Sequence, residues 1–128
     1  MTTAYWCVLI GAFMPLMWTA TAKFGGSQKM SFGQNSAPRE FLETVSGMQK
    51  RAHWAQLNAF EAFPAFAAAV IISHLAGGAQ STIDLLAMGW VAARVAYGIC
   101  YLADWGTLRS LVWGAAVACV VALFVIAA

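Results

Sequence analysis

The chain has 128 residues, of which 62% are apolar and 9% charged, with a formal net charge of +2. Soluble domains are about 45–50% apolar and about 25% charged, so a soluble monomer and a disordered chain are both excluded. With no dense Lys/Arg cluster to track phosphates, a nucleic-acid module is excluded as well, leaving one small polytopic membrane domain. The first apolar run, 4–22, carries no charge and ends before Lys23. A bilayer core needs roughly 20 helical residues, so the run is long enough to cross, with a kink expected at Pro15. A cleavable leader is the competing reading, but no positive n-region precedes the run and no A-x-A-like site follows it. A polar loop over 23–36 follows. Ser36 with Pro38 reads as a helix start near Ala37, from which one helix of more than thirty residues is predicted to enter the membrane.

The second span is 54–75, interrupted by Glu61. The third is 85–103, interrupted by Arg94. The fourth is 109–128. Gly77–Thr82 and Asp104–Gly106 read as short turns between them. The composition favours Ala, Leu, Val and Ile without alternation, so the expected fold is an all-α four-transmembrane-helix bundle in a single domain. Cys7, Cys100 and Cys119 are isolated in apolar runs, which gives no zinc or redox pattern. Five of the seven positive residues lie between Lys23 and Arg51, and Arg109 lies by the third connection. The positive-inside rule then places the first and third connections in the cytoplasm and both termini outside, in an inner or plasma membrane.

Ionisable groups at bilayer depth are costly, and two stand out. On the second span Arg51, Trp54, Asn58, Glu61 and Ala65 form one stripe at helical spacing. On the third, Trp90, Arg94, Tyr97 and Tyr101 form another. Both Glu61 and Arg94 lie roughly 15 Å deep at 1.5 Å per residue, so a Glu61–Arg94 pair across the helices is expected. Its bland reading is a structural pair that fixes register. Arg109 reads either as a snorkelling anchor or as a partner for an anion or thiolate. His53 is expected at the solvated surface. His74 has no evident partner. Trp6, Trp54, Trp105 and Trp113 read as interfacial belts.

The run Asn58-Ala59-Phe60-Glu61-Ala62-Phe63-Pro64 resembles the N-x-x-E-x-x-P signature of the MAPEG family, the membrane-associated proteins in eicosanoid and glutathione metabolism. Arg94-x-x-Tyr97-x-x-x-Tyr101 followed by Arg109-Ser110 is similar to that family's second signature. The resemblance implies a homotrimer of four-helix protomers with glutathione bound between them near the cytoplasmic side. It implies that Asn58 and Glu61 hold the tripeptide's polar ends, that Arg94, Tyr97 and Tyr101 line the same cleft, and that Arg109 stabilises the thiolate. Trp54 stands where some glutathione-using members have arginine, and Arg51, one turn earlier, is the nearest substitute. Ala62 stands where some have tyrosine. The implied activity is conjugation or reduction of lipophilic electrophiles by glutathione as co-substrate. The competing functions are a non-catalytic member binding lipids or proteins, and a proton-coupled exporter using Glu61.

Overall fold

A computed structural model describes all 128 residues. Four helices are long and apolar enough to cross a membrane: α1 (Thr3–Phe24), α3 (Gly47–Leu75), α4 (Gln80–Leu102) and α5 (Gly106–Val125). A short surface helix, α2 (Pro38–Thr44), and a 3-10 turn over Gly33–Ser36 lie between the first two spans. The protein is therefore a multi-pass integral membrane helix bundle.

Local chemistry sets the helix ends. Thr2 caps α1, its hydroxyl accepting from the Tyr5 N–H at 3.2 Å. The helix then runs unbroken through Pro15. Gly77 closes α3 with φ +82°, a left-handed conformation that glycine adopts freely. Asp104 closes α4 with φ +62°, and the Trp105 N–H donates back to the Cys100 carbonyl at 2.9 Å. Aspartate is among the few side chains that tolerate this region. The turn before α4 is shorter than Gly77–Thr82, because Gln80, Ser81 and Thr82 already belong to the helix.

The single long helix expected from Ala37 is instead two. Ser46 is extended, and Gly47 has φ +59°, so the chain turns sharply there. Pro38 does open α2, but Ala37 holds the cap position. The Ser36 hydroxyl donates to the Gly33 carbonyl at 2.9 Å and caps nothing. The break lets Phe41, Leu42 and Val45 fold back over Ala22 and Ala52, covering the end of the bundle that carries the long connection.

The main core lies toward the end carrying both chain termini. There Phe66 of α3 and Trp90 of α4 stack with ring centres 3.8 Å apart, beside Cys7 of α1 and Leu123 of α5. In lipid, apolar side chains gain little by leaving the solvent, so close packing holds the helices together. Small residues supply it: Ala4, Ala69 and Ala87 are fully buried. A polar chain secures the same end. The Ala4 N–H donates to Asp84 Oδ1 at 2.8 Å, Gln80 Nε2 donates to the same oxygen at 2.8 Å, and Gln80 Oε1 meets His74 Nδ1 at 2.7 Å. His74 thus has the partner that its sequence position did not reveal, and the Tyr5 ring lies 5.2 Å from its ring.

Candidate functional site

The two polar stripes face one lateral groove between α3, α4 and α5. Its first lobe, about 420 Å³, is lined by Trp54, Leu57, Asn58 and Glu61 of α3 with Tyr97 and Tyr101 of α4. A second lobe, about 340 Å³, shares Asn58 and Glu61 and continues along Ala65, Trp90, Arg94, Trp113 and Val117. Helical spacing accounts for the first lobe: Trp54, Asn58 and Glu61 recur every three or four residues, as do Tyr97 and Tyr101, so each set shares a face. The second lobe is mostly apolar and reaches outward-exposed residues of α5, Trp113 and Val117 among them.

The expected Glu61–Arg94 pair is mediated rather than direct. Arg94 Nη2 donates to Asn58 Oδ1 at 2.7 Å, and Asn58 Nδ2 donates to Glu61 Oε2 at 3.3 Å. Asn58 precedes Glu61 by one turn, so its amide sits between the two charges and bonds both. Arg94 is only 2% exposed, and its Nε–H has no partner. Glu61 is exposed on the flank of the chain at mid-span. A carboxylate there is costly in bare lipid, and Asn58 is the polar side chain of this chain that hydrogen-bonds to it.

A ladder of rings and guanidinium groups forms the α4 wall. The Arg94 guanidinium carbon lies 4.3 Å from the Tyr97 ring centre. Tyr97 meets Tyr101 edge-on at 5.5 Å, and Arg109 lies 4.2 Å over the Tyr101 ring. Trp54 faces Tyr101 at 6.4 Å. Cation–π contact fixes both arginines against the tyrosines. Arg109 therefore stands at the edge of the first lobe, reached through Tyr101, rather than in its lining.

Arg51 does not line the groove. Its Nε and Nη2 donate to the Leu102 carbonyl at 3.3 and 3.1 Å, filling the unpaired C-terminal end of α4. Leu57 and Trp113 line the groove although the sequence marked neither as part of the site; Leu57 lies only three residues from Trp54 on the same helical face. His53 sits on another side of α3, hydrogen-bonded to Gln56 at 3.3 Å, in a separate depression with Arg39 and Glu43.

No curated protein and no solved structure matches the chain. The profile of the MAPEG family matches residues 3–128, nearly the whole chain. Together with the four spans and the two facing stripes, that match shows that the chain belongs to the MAPEG family.

Proposed function

We propose that this protein is a glutathione-dependent membrane transferase or peroxidase acting on lipophilic electrophiles. One observation carries the reading: Asn58, Glu61, Tyr97 and Tyr101 line one lobe, Arg94 lines the lobe that continues from it, and Arg109 is stacked at the edge. The two lobes, about 420 and 340 Å³, lie within the usual size range of small-molecule sites. Glu61 would accept the ammonium of the γ-glutamyl group, and Arg94 would bind a carboxylate. Family membership supports a glutathione-related membrane role.

Arg109 is assigned to the thiol. An ordinary thiol has a pKa near 8.5 and is mostly protonated at neutral pH, and a guanidinium beside it favours the thiolate. The thiolate sulfur then gives an electron pair to an electrophilic carbon. An S–C bond forms, and the leaving group departs with the electrons of its bond. With a hydroperoxide, sulfur takes the distal oxygen, the O–O bond breaks, and the alcohol leaves. A second glutathione then converts the sulfenic acid to disulfide and water. The apolar second lobe would admit the electrophile from the bilayer.

The family resemblance implies a homotrimer, and Glu61, exposed at bilayer depth, supports a neighbouring protomer that closes the groove. The cluster of basic residues at the connection end supports a cytoplasmic first and third connection, with both termini outside, in an inner or plasma membrane. A second reading, a non-catalytic lipid or protein binder, is favoured by Arg109 being already occupied by the Tyr101 ring.

Purified protein in detergent should bind glutathione and conjugate it to a hydrophobic electrophile. Arg109→Ala should lower turnover on the order of 10²-fold. It should also move the pH–rate profile to higher pH, since losing the cation raises the thiol pKa. Glu61→Gln should weaken glutathione binding. Absence of binding at millimolar glutathione would leave the non-catalytic reading in place, and undiminished turnover in Arg109→Ala would remove the thiolate role.

A further inference from the structure

Nothing on its own helix holds Arg109 at the groove. It lies in the first turn of α5, where the helix dipole opposes a cation. A long arginine at the end of a span otherwise extends toward the headgroups. No hydrogen bond or ion pair within the chain engages its guanidinium. The contact it makes is with the Tyr101 ring, 4.2 Å away. A ring face attracts the cation without taking up its N–H donors in strong hydrogen bonds, so those donors stay free for an anion.

Tyr101 is itself held from α3. It occupies the last turn of α4. Arg51 of α3 donates twice to the carbonyl of the next residue, Leu102. Trp54, one turn further along the same face of α3, brings its ring to 6.4 Å from that of Tyr101, tilted by 49°. Tyr97 meets Tyr101 edge-on from within α4.

We infer that Trp54 and Tyr101 are positioning residues for Arg109. The Trp54 ring braces the Tyr101 ring, and the Tyr101 ring draws the guanidinium from the membrane surface to the edge of the groove. Trp54 thus acts by its ring, where some members of the family carry a charge. The Tyr101 hydroxyl has no part in this role. The inference rests on the thiolate role proposed for Arg109 and names what sets that residue in place.

Purified protein in detergent, saturated with glutathione, is read by turnover and by the ultraviolet absorbance of the bound thiolate. Each position is compared as a pair, one member keeping a ring and one removing it: Tyr101→Phe with Tyr101→Leu, and Trp54→Phe with Trp54→Leu. Tyr101→Leu should turn over roughly tenfold more slowly than Tyr101→Phe. It should also show less thiolate at neutral pH, recovered as the pH rises, since a retreating cation raises the thiol pKa. The Trp54 pair, acting at one remove, should differ by roughly threefold in the same direction. Glu61 of α3 and Arg94 and Tyr97 of α4 line the same groove and are identical in all four variants, so their charges cancel within each pair. In an Arg109→Ala background neither pair should differ in thiolate, and a difference that persists there overturns action through Arg109. Equal thiolate within a pair of folded variants overturns the positioning role of that ring while leaving the thiolate role of Arg109 standing. No thiolate signal in the wild-type protein overturns both together.

Discussion

Asn58 links the two charges of the groove. Helical spacing places Glu61 and Arg94 at matching depth on facing helices, which is why a direct pair was expected. Spacing resolves a face and a level along the axis, but not which side chain fills the last few ångströms between two helices. The Asn58 amide, with a donor and an acceptor, fills that gap and holds both charges. Close approach also decides the cost of a single methyl group. A Cβ on Gly98 would lie 2.0 Å from Cζ2 of Trp18, a ring that is itself buried against Met14 and Ala55. Gly98→Ala should destabilise the bundle by about 1–3 kcal/mol through overpacking, despite the better helix propensity of alanine. Gly114→Ala meets no atom within 4 Å and should be neutral or mildly stabilising. Thermal unfolding in detergent compares the two.

At the scale of elements, the start of α3 joins several pieces of chain. Gln49 is buried, and its Nε2 donates to the Ala22 carbonyl at 2.9 Å and to the Gln28 carbonyl at 2.6 Å. Its Oε1 accepts from the Gln28 N–H at 3.1 Å. One side chain thus serves the last turn of α1 and the connection after it. Gln49→Leu keeps the volume and strands those backbone groups, and should cost about 1–3 kcal/mol. Proteolysis within residues 25–46 should accelerate in this variant, and unchanged cleavage would show that the connection is held otherwise. Residues 37–47 read as continuous helix from capping signals alone, because no local rule weighs Phe41, Leu42 and Val45 against the apolar surface waiting at Ala22 and Ala52. Burying those side chains requires the chain to reverse at Gly47.

Across the whole molecule, the flanks of one chain are broadly apolar. Leu9, Phe13, Ile71, Leu111 and Val121 all face outward, as expected in lipid. Glu61 interrupts that surface, and the groove beside it opens sideways between helices. A second copy bringing polar groups to this flank would relieve an isolated carboxylate at bilayer depth. Sedimentation in a density-matched detergent should give a multiple of one chain's mass, three times for the homotrimer that the family resemblance implies. A monomeric mass would place the burden of covering Glu61 on a ligand alone.

Composition by itself determined the solvent, since twelve charged residues cannot cover a soluble surface of this size. Apolar run length determined the four spans, and the three-to-four residue period determined which polar groups share a face. These are local properties of a helix in lipid, where backbone hydrogen bonds must close within each segment. Tertiary structure decided how the facing groups are used. It assigned Asn58 to bridge two charges, Arg51 to the end of α4, Arg109 to the Tyr101 ring, and Asp84 to the start of α1. Each choice depends on which helix end or ring arrives within hydrogen-bonding or stacking distance. That distance is fixed by interhelical packing among residues far apart in the chain.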